Sequence, residues 1–147
     1  MNIVLSIKEK WAQKIYSGEK KIEWRKNSPT NPKFVLSLDK VFLYEVEKKF
    51  VTGWFKIGCI YGPLIFEKDI TKYYEKIGCV SLDELKKYSN KKNLYAWYIE
   101  EADKLGYPTE IKYFTPSERA PQSWCYTRAY FFNGTFNYDH KLKEFNK

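Results

Sequence analysis

Apolar and polar positions follow two different periods along this chain. "NIVLSI" (2–7) is a short apolar run of the kind that fills a buried strand. The period then lengthens. Through "KEKWAQKIYSG" (8–18) and the Ile7 just before it, Ile7, Trp11 and Ile15 recur at every fourth position with Ala12 and Tyr16 beside them. Lys8, Glu9, Lys10, Gln13 and Lys14 fill the other side. This predicts an amphipathic helix of about three turns. Gly18 is placed to stop it, because glycine takes the left-handed conformation at a C-terminal cap without steric cost. Ser6 is placed to cap its start. The period returns to two in "KKIEWRK", where Ile22 and Trp24 share one face and Glu23 and Arg25 the other. Parity would put Lys20 on the face of Ile22 and Trp24. Lys20 is therefore expected in the turn after the helix, with regular pairing starting near Lys21.

Beyond a loop at "NSPTNP" (27–32), two strong β segments, Val41–Val46 and Phe50–Ile60, are joined by the charged turn "EKK". Gly53 and Gly58 lie inside the second and predict bulges or tight corners. Near-adjacent strands broken in this way point to a small closed sheet. A helix is expected from about Ile65 to Gly78. Ser81 followed by Glu84 is a capping box that opens a second, short helix. Tyr95–Ile99 and "TEIKYF" read as strands, and "TPSERAPQSWCY" as a loop around Pro116 and Pro121. The tail from Phe131 is polar and weakly patterned, a docked extension or a frayed end. These elements predict an α+β domain over 1–130 with an extension at 131–147.

Composition sharpens this picture in two ways. Aromatic residues make up 19% of the 147 residues, and such side chains serve both pleated core surfaces and base-stacking platforms. Trp11, Trp24 and Trp97 are expected in the core. Tyr44 and Trp54 are candidates for stacking, although alternation places them in the core as well. The net charge is +8, and residues 1–33 hold eight cations against three anions, so +5 of it lies in the first quarter of the chain. A basic N-terminal face suits a polyanion, with nucleic acid ahead of a membrane. No stretch approaches the ~20 apolar residues of a membrane helix, and no cleavable leader is evident.

Cys59, Cys79 and Cys125 are widely spaced and His140 is far from them, so neither a zinc site nor a disulfide framework is expected. The cysteines read as small apolar fillers of a protein kept in the cytoplasm. The expectation is no metal and no cofactor. Phosphate-binding glycine loops and nucleophile elbows are missing from the sequence. A single histidine in the tail argues against triad chemistry.

Gly18, Lys20, Glu23 and Arg25 form a Gly-x-Lys-x-x-Glu-x-Arg pattern directly after the amphipathic helix. With it, "LSIKEKWAQKIYSGEKKIEWRK" resembles the opening of ASCH domains, members of the PUA-like superfamily of RNA-associated β-barrels. "VFLYEVEKKFVTGWFKIGCI" is similar to their central hairpin. "LYAWYIEEAD", "PTEIKYF" and "APQSWCY" are similar to their closing strands and their Pro-Gln-Ser-aromatic segment. The resemblance spans about residues 3–127. It implies a small PUA-like β-barrel of five to six strands with flanking helices, and a cleft between helix and barrel that holds the motif.

In that cleft the resemblance implies nucleic-acid-binding roles for Lys20, Glu23 and Arg25, joined by Ser6 and Lys8 at the end of the first strand and by Gln122 and Ser123 of "APQSW". Physically, Glu23 can orient Arg25, whose planar fork matches phosphate or a base edge. The first helix can add backbone donors for a phosphate. The expected partner is RNA or another nucleic acid, or a nucleotide-like small molecule. The alternative is a hydrolase, because some relatives are ribonucleases and some hydrolyse acetylated cytidine. Lys20 would then be catalytic, with Glu23 as proton acceptor. The amidohydrolase type carries a threonine where this chain has Glu23 and a glutamate where it has Gly78, with Glu75 nearby. Both departures count against that reaction.

Overall fold

The computed structural model describes residues 2–29 and 40–127 and the backbone of two further strands at 129–132 and 135–138. His140 and part of the loop expected at 27–32 lie outside the described residues. The elements are β1 (Asn2–Ile7), α1 (Glu9–Tyr16), β2 (Ile22–Arg25), β3 (Val41–Glu45), β4 (Phe50–Leu64), α2 (Tyr73–Gly78), α3 (Leu82–Ser89), β5 (Leu94–Thr109), a 3-10 turn (Ile111–Tyr113), β6 (Trp124–Thr127), β7 (Ala129–Phe132) and β8 (Thr135–Tyr138). The last two form their own antiparallel hairpin, in the stretch where the pattern was too weak to predict strands.

β1 to β6 form one mixed sheet in the order β2-β5-β4-β3-β1-β6. Only β1 and β3 run parallel; the other pairings are antiparallel. The fold is α+β as expected, but among the described residues the strand ladder does not close into the expected barrel. β2 and β6 are its two edges. The sequence signals for closure were the glycines of β4, and they do produce irregularities. The β4–β5 register shifts between Val51 and Gly53 and again between Ile57 and Cys59. These bends curl the sheet without joining its edges.

Both faces of the sheet are covered, which is why β1, β2 and β3 are buried at every position. On one face, Ala12 and Ile15 of α1 pack on Ile3, Leu5, Leu43, Phe55 and Trp97. Each fully buried aliphatic side chain of this kind contributes about 2 kcal/mol. On the other face Phe114, just past the 3-10 turn, packs on Val4, Phe42, Tyr44 and Val51. Ile22 and Trp24 of β2 join Leu94, Ala96, Ile70 and Leu85 in a third cluster under α3.

Three local expectations change. The helix foreseen from Ile65 is confined to Tyr73–Gly78, because the Asp69 carboxylate accepts from the Ile65 amide at 2.8 Å and holds a turn there. β5 runs on to Thr109, since its charged second half pairs with β4 and leaves those charges outside. "TEIKYF" forms the 3-10 turn in place of a strand.

Candidate functional site

The site begins with how α1 ends. Gly18 takes φ +82°, a left-handed conformation that reverses the chain. The Lys20 amide then donates to the Lys14 carbonyl at 3.0 Å, so Lys20 belongs to the turn, and the Ile99 amide donates to the Lys21 carbonyl as pairing with β5 begins. This placement frees Lys20 from strand parity and sends its side chain inward, where the residue is only 2% exposed. Its ammonium donates to the Gly78 carbonyl at 2.6 Å, stands 3.9 Å from Glu23 Oε2 and lies 5.3 Å from the centre of the Trp11 ring. Burial lowers the Lys20 pKa from the usual lysine value; the Glu23 charge opposes that shift, and Arg25 adds to it.

Glu23 and Arg25 lie on the opposite face from Ile22 and Trp24, paired across to Trp97 and Tyr95. Both are buried, at 5% and 8% exposure. Glu23 Oε1 accepts from Arg25 Nε at 3.2 Å and stands 3.1 Å from Nη2. Arg25 reaches further: Nη2 donates to the Ser6 carbonyl at 2.9 Å, and Nη1 to Ser123 Oγ at 3.3 Å. Arg25 sits on edge strand β2, Ser6 on β1, and Ser123 immediately before β6, the other edge. The guanidinium thus stitches the open seam of the curled sheet with side-chain bonds where the backbone ladder stops. Most of its donors are committed inside the protein. Glu23 Oε2, by contrast, is buried with no hydrogen-bond partner among the described residues.

These groups wall a cavity of about 400 Å³. Ser6, Ile7 and Lys8 line it from the end of β1, Trp11 from α1, and Lys20, Glu23, Trp24 and Arg25 from the turn and β2. Glu84, Leu85 and Tyr88 line it from α3. Lys10 of α1 and Glu84 of α3 pair across at 3.5 Å. α3 is fixed at its start by the predicted cap, Ser81 Oγ accepting from the Glu84 amide at 3.1 Å, and by Glu75, which accepts from the Leu82 amide at 2.7 Å. Glu75 is thereby committed to holding α3. The backbone at Gly78 must stay bare, because a Cβ there would stand 2.7 Å from Trp24 Nε1.

The structure brings Ser6, Lys8, Lys20, Glu23 and Arg25 together around one cavity and joins Ser123 to them through Arg25. Gln122 is exposed and outside the cavity lining. Ser6 does not cap α1: its hydroxyl donates to the Pro121 carbonyl, and the capping position is Lys8. The helix start is also not open to a phosphate. The Glu47 carboxylate, from the turn after β3, accepts from the Glu9 amide at 2.9 and 3.2 Å. No local pattern announces a cap from 38 residues away.

Trp11, expected in the core, is half-buried and lines the cavity. Tyr88, which sequence reasoning missed, is 39% exposed with the Lys26 ammonium 4.9 Å from its ring. Its signal was present in the face of α3 that carries Glu84, Leu85 and Tyr88, but nothing local said which element that face meets. Tyr44 and Trp54 pack in the second cluster, away from the cavity. Among the described residues no group of histidine, cysteine and carboxylate side chains is arranged for a metal ion, and no helix is long and apolar enough to cross a membrane.

Comparison with known proteins agrees with this architecture. Solved structures of an ASCH protein from Zymomonas mobilis share the fold at 20% identity. A serine-to-alanine variant superposes with a TM-score of 0.68 over 86% of this chain and 88% of that one. A tyrosine-to-phenylalanine variant gives 0.67 over 86% and 90%, and the protein described without a substitution gives 0.64 over 86% and 87%. No curated protein matches the chain. The family model of the ASCH domain matches residues 5–109, and the chain belongs to the ASCH domain family.

Proposed function

We propose that the cavity is a nucleic-acid-binding cleft, with RNA as the partner and Lys20 as the charge that meets it. ASCH domains are commonly RNA-binding. The observation that carries the reading is the buried Lys20–Glu23–Arg25 cluster opening on a cavity walled by Trp11 and Tyr88. About 400 Å³ lies within the ~300–1,000 Å³ range of small-ligand sites and suits one nucleotide better than a duplex. Lys20 donates to Gly78 and faces Glu23 at 3.9 Å, which leaves a donor for a phosphate or a base edge. Arg25 acts as a positioning residue. It fixes Glu23 and the seam, and its charge adds to the field in the cleft. Trp11 and Tyr88 offer ring faces, and stacking on such faces is worth about 1–3 kcal/mol per base.

Electrophoretic shifts with short single-stranded RNAs at low and moderate salt test this. Binding should weaken with salt and should be lost in K20A. Binding that K20A leaves intact would refute it.

One observation favours a second reading, hydrolysis of RNA or of a modified nucleoside. Burial lowers the Lys20 pKa, which brings the amine closer to service as a base. Against the acetylcytidine reaction stands Glu75, which is bound to the Leu82 amide. Lys20-dependent turnover of labelled RNA or acetylated cytidine would establish this reading over simple binding.

A further inference from the structure

A second depression of about 930 Å³ lies on the far side of α3 from the cleft. Glu84, Leu85 and Tyr88 of that helix face the cleft, while Asp83, Lys86, Lys87 and Ser89 line the second groove. Lys91, Lys92 and Asn93 complete its wall, with Ile65, Phe66 and Glu67 across from them. Asn90 and Lys91 both adopt left-handed backbone, at φ 47° and 65°. The Asn90 amide bonds back to the Lys86 and Lys87 carbonyls, and the Lys92 amide to the Ser89 carbonyl. This tight turn holds Lys91 and Lys92 alongside Lys86 and Lys87.

All four lysines are exposed. Lys86 lies 4.0 Å from Glu67; among the described residues the other three make no ion pair. Lysines in the last turn of a helix offset its dipole, which amounts to about half a charge. Four cations against Glu67 and Asp83 exceed that requirement. Tyr88, on the cleft side, stands at the end of α3 just before the turn that carries Lys91 and Lys92, and Lys26 adds a further cation over its ring.

We propose that this groove holds the phosphodiester backbone of a single strand whose unpaired nucleotide sits in the cleft, so that the strand passes over the C-terminal end of α3. The proposal rests on the cleft reading above and extends it to a second, sequence-independent contact. A helix with its side chains is only about 10–12 Å across, so a strand leaving the cleft has little to cross. Flexible lysines without base-edge partners suit phosphates, which position a strand without specifying its sequence.

The test compares the parent protein, K20M, and a variant carrying K86Q, K87Q, K91Q and K92Q. Each is titrated with a dinucleotide and with a 16-nucleotide single-stranded RNA between 50 and 200 mM salt, and thermal melts confirm folding. Four lost phosphate contacts should flatten the slope of log K against log salt for the 16-mer by about 3, at roughly 0.7 per contact. Dinucleotide affinity should not change in the quadruple variant. An unchanged 16-mer slope, with K20M still defective on both ligands, would overturn the groove and leave the cleft standing. An equal loss on the dinucleotide would also overturn it, by placing the lysines' effect in the cleft. K20M binding the dinucleotide normally would remove the cleft reading itself and the strand path with it.

Discussion

Replacing Arg25 by alanine should be among the most damaging single changes this fold can receive. The side chain is buried, and its removal leaves Glu23 Oε1 without its donor, beside an Oε2 that has no hydrogen bond among the described residues and only the Lys20 ammonium at 3.9 Å as counter-charge. It also strips the Ser6 carbonyl and the Ser123 hydroxyl of their donor across the seam. Breaking a buried ion pair by deleting one partner costs about 3–5 kcal/mol. Lys20, 3.9 Å away on the other side of Glu23, softens the loss, so about 3 kcal/mol is expected. With a urea m-value of about 2 kcal/mol/M, the midpoint should fall by roughly 1.5 M. If the stranded charge is the main cost, adding K20M and E23Q together to R25A, which removes the whole buried charge cluster, should recover about 1–2 kcal/mol, a coupling that a mutant cycle reads directly. R25K should lie between, since one ammonium cannot reach all three acceptors. R25A within about 0.5 kcal/mol of the parent, or made worse by the added K20M and E23Q pair, would refute the seam account.

Three further outcomes follow from the packing. G78A places a Cβ 2.7 Å from Trp24 Nε1, so it should destabilise by about 1–3 kcal/mol and alter tryptophan fluorescence; a silent substitution would show that Trp24 has room to move. E47A removes the carboxylate from the start of α1, and urea melts should show a loss of about 1 kcal/mol with no weakening of RNA binding; weakened binding would place Glu47 in the site. Burial raises the Tyr98 pKa to about 12, above an unfolded value near 10. The neutral phenol is favoured in the fold, so its contribution is present below pH 10 and is lost as pH rises toward 12. Y98F should flatten that decline in melts across this window, and an unchanged decline would assign it elsewhere.

What the sequence revealed was mostly local. Gly18 as a helix stop, Lys20 in the turn, the two faces of β2 and the Ser81 cap each rest on a few neighbouring residues, and each is found in the structure. What it hid depends on partners far along the chain. Glu47 occupies the start of α1 from a distant turn. Tyr88 reaches the cavity from a helix more than sixty positions beyond the motif. Arg25 looked like a free fork because its acceptors, Ser6 and Ser123, become neighbours only when the sheet curls. The glycines of β4 were read rightly as bends, but bending alone does not decide whether edges pair.

The claim that Lys20 is the charge meeting nucleic acid is tested most directly by observing its own ammonium. Lysine side-chain nitrogen NMR of the protein, assigned with K20M and titrated with a short single-stranded RNA, reports on that atom alone. The account predicts that the Lys20 resonance moves with the binding curve and that its lowered pKa rises on binding, as a phosphate replaces the missing compensation. Saturated binding with the Lys20 signal and its titration unmoved, while exposed lysines shift, would contradict it.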